Sequence, residues 1–407
     1  MRPWPCLSFV CLATAAIPFT TYSQIDPIER KLLQIGYNAS FEGHAPLAMY
    51  AFYYYNKPEF LDHTNLTLRL AVAPTYLDSE TGFRALLGPN TDLGIGIAGG
   101  GFADSYWEIQ QGKYLPQQSF DGHGAEASVS LYHLFNPGAL IPLNGVLRAS
   151  GHYSFYAKTS DTAPDFELPE DQGYFRVRTG LRWGGKEPIL FPSLAMELSA
   201  WYQGEFRLHD DTYGFAANPY HVNHESHLFW GEALLAYTFT NINHSFFVSV
   251  IGGSSIDADR FSAYRLGALL PMVSEFPLSL PGYYYQELSA QSFVLFGANY
   301  LMPLDKDQRW NIDLNGATAY VDYLPGLEQS NHGNTGVGGG ILYKTPSFKI
   351  MVGYAYGVDA IRSHGRGANS LGILMQLDWS KAKNEIFNPT QPSLWQGMQR
   401  VFGLFGQ

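Results

Sequence analysis

The chain has 407 residues, is 46% hydrophobic and only 15% charged, and holds 42 glycines beside 27 tyrosines, 27 phenylalanines and 8 tryptophans. That length supports a large core, the glycines lack the strict period of a collagen, and so many aromatics exclude a disordered chain. Asp+Glu exceeds Lys+Arg by 36 to 25, a formal net charge of -11 with no long basic run, which argues against a nucleic-acid partner held through phosphates.

Residues 1–23 carry one charge, Arg2, then an apolar stretch from Leu7 to Phe19, with Thr21 and Ser23 placed for cleavage before Gln24. This is the pattern of a secretory signal. Cys6 and Cys11, the only cysteines, lie inside it, so the processed chain is expected to hold no disulfide, thiolate metal site or cysteine nucleophile. Beyond Gln24 no run of about 18 apolar residues occurs, which leaves strands rather than helices for any membrane crossing. Residues 24–44 read as a short N-terminal segment and 45–380 as a β-barrel.

Strands are expected at 45–55 and then at Leu66–Val72, where LTLRLAV alternates with a period of two. Further candidates are 92–109, 122–134 and 144–157. From Phe175 to Trp183, FRVRTGLRW sets Arg176, Arg178 and Arg182 on one face and Phe175, Val177, Leu181 and Trp183 on the other. From Met196 to Leu208, MELSAWYQGEFRL opposes Met196, Leu198 and Tyr202 to Glu197, Gln203 and Glu205. The remaining candidates are 227–240, 244–253, 260–270, 285–303, Arg309–Gly316, 335–344, 347–358 and Leu371–Trp379. Most exceed the roughly five or six residues of a soluble sandwich strand and match the about 9–11 that cross a bilayer. Backbone groups left unpaired in hydrocarbon are costly, so such strands must close into a ring. At about 24 residues per strand and connector the expectation is an all-β transmembrane outer-membrane β-barrel of about 16 antiparallel strands, with short turns at one end and long loops at the other. The glycine clusters at 94–101 and 338–340 read as bends and close approaches, since no Lys-Ser/Thr follows to make a phosphate loop. After Trp379, residues 381–407 form a tail in which Leu394, Trp395, Met398, Val401, Phe402 and Phe405 have the spacing of a short amphipathic helix.

Residues Asp257 to Leu304 combine a glycine-bearing strand (Arg265-Leu266-Gly267), a loop reaching Leu280-Pro281-Gly282-Tyr283, and a long returning strand through Leu288 to Pro303. This stretch resembles the late barrel strands of the bacterial surface antigen superfamily, the outer-membrane assembly and secretion barrels. The resemblance implies a sixteen-stranded barrel whose loop folds back inside. In the family the loop ends in an Arg-Gly-aromatic tip. Here the tip is Pro281, Gly282 and Tyr283, and the arginine is missing. Members usually carry polypeptide-transport-associated domains ahead of the barrel, and with alternation beginning near Ala45 or Leu47 none is expected in this chain.

On the polar faces, the candidate lumen residues are Arg69, Arg148, Arg176, Arg178, Arg182, Glu197, Glu205, Arg207, Arg309, Asp313 and Asp378. Three like charges on one strand face require acidic partners or an anionic solute nearby. The same residues therefore serve two readings, a charge-selective lumen or structural pairs across strands. The loop from Pro271 to Tyr285 is the expected constriction. His221, His224 and His227 lack a metal-binding frame, and Asp257 with Asp259 lacks calcium-loop spacing. Ser254 and Ser255 do not make a nucleophile elbow. No cofactor, metal or catalytic residue is assigned, and the expected function is not enzymatic. It is a channel, or a reduced surface-antigen-type barrel, moving solutes or polypeptide across the outer membrane. Its expected partners are outer-membrane lipid, small solutes and an envelope protein. The rival readings are a structural or docking barrel in an envelope complex and a soluble secreted β-sandwich.

Overall fold

A computed structural model of the chain describes residue 25 and residues 28–185, 194–239, 241–270 and 276–382. The expected signal segment 1–23, the tail helix near 393–405 and part of the constriction loop, 271–275, lie outside these residues. Sixteen long strands form the wall: β1 (Arg30–Ser40), β2 (Ala48–Pro58), β3 (Leu66–Val72), β4 (Tyr76–Phe83), β5 (Thr91–Gly100), β6 (Asp121–Leu134), β7 (Leu143–Ala157), β8 (Gln172–Gly184), β9 (Leu194–Arg207), β10 (Glu225–Phe239), β11 (His244–Ile256), β12 (Leu288–Pro303), β13 (Trp310–Tyr323), β14 (Gly333–Lys344), β15 (Phe348–Arg362) and β16 (Gly365–Asp378). Each pairs antiparallel with the next, and β1 pairs with β16 from Leu32↔Asp378 to Ser40↔Ser370. The sheet is a closed barrel.

The even strand number puts the start of β1 and the end of β16 at the same end. Connections there are short, as at 84–90, 240–243 and 345–347. The opposite end carries the long loops 101–120, 158–171, 208–224 and 257–287, the extracellular side in barrels of this type. Side-chain alternation fixes what each face meets. On β8 the exposed residues are Phe175, Thr179, Leu181 and Trp183, whereas Arg176, Arg178 and Arg182 between them are partly covered. The same apolar exposure recurs at Ile95 and Ile97 of β5, Phe229 and Leu235 of β10, and Val352 and Tyr354 of β15. An apolar belt facing outward and a polar face turned inward is the arrangement that lipid selects.

The wall differs from the sequence reading in four places, the first being the candidate 92–109, whose strand ends at Gly100 and whose remainder belongs to the 101–120 loop. The wall starts at Arg30, inside the stretch expected to precede the barrel, because β1 closes the ring against β16; its alternation was blurred by the Leu32-Leu33 pair and by Gly36. β4 was not expected, since its outward residues Leu77, Ser79, Thr81 and Phe83 include two hydroxyls that weaken the apolar signal. Conversely, 260–270 is not a wall strand. Only Tyr264–Leu266 is extended there, pairing with the top of β12 as part of the long loop.

The hydrophobic core lies inside the ring. Leu266, Leu280, Tyr283 and Leu288 from the 257–287 loop and its junction pack on Leu228, Ile251, Phe293 and Val321 of the wall. A second cluster sets Leu269 and Leu270 against Leu342, Met351, Ala355 and Leu374. Above the ring, Tyr106, Phe120, Phe166, Tyr213 and Val222 join loops 101–120, 158–171 and 208–224 into a cap with its own small core. The wall is lowest at β3 and β4: β2 is paired to β1 from Ala48 to Asn56 but to β3 only from Tyr53 to Pro58.

Candidate functional site

On one side of the interior, neighbouring strands bring opposite charges into register. Arg176 of β8 stands across from Glu205 of β9, and Arg69 of β3 across from Glu80 of β4. Arg176 donates to Glu205 at 2.9 Å and reaches Glu126 of β6 at 3.3 Å, while Arg148 of β7 meets Glu126 at 3.0 Å. Arg182 donates to Glu197 at 3.0 Å, Arg69 to Glu80 at 3.0 Å, and Arg207 to Asp259 of the long loop at 2.7 Å. Arg178 donates twice to Gln203, at 2.9 and 2.7 Å, with its guanidinium over the Trp230 ring. Cross-strand pairing of this kind is what a sheet offers charges on one face. It leaves a balanced ladder rather than a cationic track.

Two loops fold in toward the wall. Asp104, in 101–120, accepts hydrogen bonds from His152 (2.8 Å) and Ser154 (2.7 Å) of β7. Burial pushes the Asp104 carboxyl up, but these donors outweigh it and hold it below the ordinary value. Arg260 of the 257–287 loop pairs with the fully buried Glu108 at 3.3 Å, and Arg265 donates to the Trp107 carbonyl at 2.8 Å, which ties the two loops together.

The described parts of the 257–287 loop, 257–270 and 276–287, lie against opposite sides of the interior. At one side Phe276 packs edge-on against Trp201 and Trp230, with ring centroids 5.1 and 5.5 Å away. At the other, its tip is pressed onto glycines of the wall. Gly282 has a φ of +84°, and a Cβ there would lie 1.8 Å from the Gly357 nitrogen; a Cβ on Gly336 would lie 1.9 Å from the Pro281 oxygen. These positions admit glycine alone. Just past the tip, Glu287 receives two hydrogen bonds from Arg362 at the end of β15, at 2.7 and 3.0 Å, with both side chains almost fully out of solvent. The Arg362 guanidinium also lies 3.7 Å from the Tyr284 ring centroid. Tyr283 donates to Asn334 of β14 at 3.4 Å.

The expected site residues thus fall into several groups. Arg69, Arg148, Arg176, Arg178, Arg182, Glu197, Glu205 and Arg207 form the paired ladder. Asp313 is buried on β13 and accepts from Asn315 at 2.9 Å, and Asn299 also donates to it. Asp378 sits at the end of β16 beside Lys381. Arg309 is displaced from the expected strand face, because β13 begins at Trp310 and leaves Arg309 in the rim turn near Asp307. Pro281, Gly282 and Tyr283 are the seated loop tip. Sequence reasoning missed Glu126, Glu80, Glu287 and Arg362, and it considered Asp259 only as a calcium ligand, not as a partner of Arg207. The parity of Gly122, Gly124, Glu126 and Ser128 carried a signal for the first. Nothing local marks Glu287 and Arg362, which meet from 75 positions apart. Among the described residues no group of three His, Cys, Asp or Glu is placed to hold a metal ion, and the His221–His227 segment contributes a Tyr202–His227 contact at 2.9 Å.

No protein-family profile and no curated protein matches the sequence. Solved structures do. CdiB from Escherichia coli superposes with a TM-score of 0.57 over 86% of this chain and 64% of its own, at 8% identity. CdiB from Acinetobacter baumannii gives 0.55 over 86% and 60%, at 10% identity. BamA from Haemophilus ducreyi lacking POTRA domains 1–3 gives 0.53 over 85% and 70%, at 10% identity. The chain has the fold of a bacterial outer-membrane β-barrel. It spans less than two thirds of either CdiB chain. The arginine that the surface-antigen resemblance puts at the loop tip is absent, and the buried ion pair near the tip joins Glu287 of the loop to Arg362 of the wall.

Proposed function

We propose that the protein is a gated outer-membrane barrel, shut at rest by its 257–287 loop, that passes solutes or extended polypeptide when the loop leaves the wall. The observation that carries this reading is the latch of Glu287 and Arg362 beside the glycine-seated tip. A loop that served only to fill space would pack by apolar contacts alone, whereas buried ion pairs, Asp259 with Arg207 at one end of the loop and Glu287 with Arg362 at the other, tether it, and breaking the pair beside the tip gives two discrete states, engaged or released. The balanced ladder of the opposite wall supports a water-filled path without strong charge preference once the loop has moved. The fold shared with CdiB and BamA supports the same reading.

Planar-bilayer recording tests it. The purified protein is expected to be closed apart from brief openings, and a variant lacking residues 276–285 is expected to show large steps of reproducible size. If the shortened protein folds, as read by its heat-modifiable gel mobility, yet seals the bilayer, the transport reading fails and a docking barrel in an envelope complex takes its place.

A further inference from the structure

We infer that the edge of β2 at Ala48–Phe52 is a docking site at which an extended polypeptide segment joins the barrel wall as an added strand. On one side these residues are paired with β1, from Ala48↔Asn38 to Phe52↔Gln34. On the other side β3 stops at Val72, opposite Tyr53, and no other described backbone group hydrogen-bonds to the five residues above that point. Alternate residues of an antiparallel strand turn both N–H and C=O toward the same neighbour, so this stretch presents unpaired main-chain groups in the plane of the sheet. The step is built into the strand lengths, since β3 and β4 are shorter than the other wall strands.

The edge lies at lipid height. Glu29, Lys31 and Lys57 form a charged cluster at the terminal end of β1 and β2, with Lys31 beside the Tyr55 ring. A rise of about 3.3 Å per residue and a tilt of about 40° put Phe52 to Ala48 roughly 8–18 Å above Tyr55, within an apolar belt about 25 Å tall. The surroundings agree: Leu47, Met49, Val72 and Leu77 are exposed there, and Tyr50 and Phe52 stack on the inner side. Hydrocarbon offers no hydrogen bonds to the unpaired groups, so lipid alone leaves them unsatisfied, and a second backbone satisfies them all. Strand addition to an exposed sheet edge is an established mode of peptide recognition. With apolar neighbours on both faces, the fitting partner is a short segment rich in β-branched or aromatic residues. The site is distinct from the β1–β16 junction, which is paired along its length, and it does not depend on whether the lumen opens.

Photo-crosslinking tests the proposal. The full processed chain, with benzoylphenylalanine replacing Met49, is placed in phosphatidylcholine vesicles with a labelled peptide of about six alternating valine and threonine residues. Peptide adducts are expected at position 49 and not at position 95 of β5, since Ile95 is exposed but its strand is paired on both sides. N-methylating every second peptide nitrogen is expected to weaken the adduct about tenfold, because it removes main-chain donors and leaves the side chains alone. Inserting five residues on each side of the Ala73–Thr75 turn, so that the chain's own hairpin covers Ala48–Phe52, is expected to abolish it while heat-modifiable mobility is kept. Equal adducts at 95, indifference to N-methylation, persistence in the lengthened variant, or lipid adducts only at 49 would each overturn the proposal.

Discussion

In the proposed gate, Arg362 and Glu287 form the contact on which the closed state turns. Removing one partner strands the other charge in a buried site, a loss of about 3–5 kcal/mol, whereas a neutral, well-packed pair is tolerated. Arg362→Met is therefore expected to lower the temperature at which the folded gel band is lost, and Arg362→Met with Glu287→Leu to recover most of the difference. A double variant no better than the single one would show that the two groups do not act as a unit. Gly282→Val tests the seat itself, because the positive φ and the Gly357 nitrogen both oppose a side chain there. Its single-channel records are expected to show a raised open probability; unchanged records would mean that the tip does not hold the gate. At this scale the sequence was half legible. Alternation placed Arg176, Arg178 and Arg182 on one face, but their partners depend on register, and the Glu287–Arg362 pair depends on how a whole loop folds back.

Most of the long strands were readable, because a belt facing lipid imposes a period of two over many residues and few other environments do. The failures have physical causes. β4 carries Ser79 and Thr81 where its neighbours carry Leu or Ile, and the 260–270 segment is apolar because it fills the dry interior, where periodicity cannot distinguish a wall from a plug. The extracellular loops were read as polar connections, yet their aromatics condense into a cap. Phe166 is fully buried in it. Phe166→Ala is expected to cost about 3–5 kcal/mol of local stability. On intact cells it should show as faster cleavage by added trypsin at Lys158, with the barrel's heat-modifiable mobility unchanged. Loss of that mobility instead would mean that the cap and the wall unfold together.

For the molecule as a whole, the low charge content is a matter of where charge is allowed. The outer face is nearly free of it, and the inner ladder sets Arg69, Arg148, Arg176, Arg178, Arg182 and Arg207 against Asp78, Glu80, Glu126, Glu197, Glu205 and Asp259. The opened channel of the variant lacking 276–285 is therefore expected to show a reversal potential near zero in a potassium chloride gradient. Glu126→Gln with Glu205→Gln should move that potential toward anion preference, since Arg148 and Arg176 then lose their counter-charges. A strong anion preference before any substitution would contradict the balance. The latch also bears on the order of assembly. Glu287 leaves the ribosome before β12 is made, but Arg362 ends the penultimate strand. The loop's contacts with β9 and β10, through Arg207, Trp201 and Trp230, need only strands made before it, whereas its Glu287 tether waits for β15, so the tip is the part of the loop that is secured late.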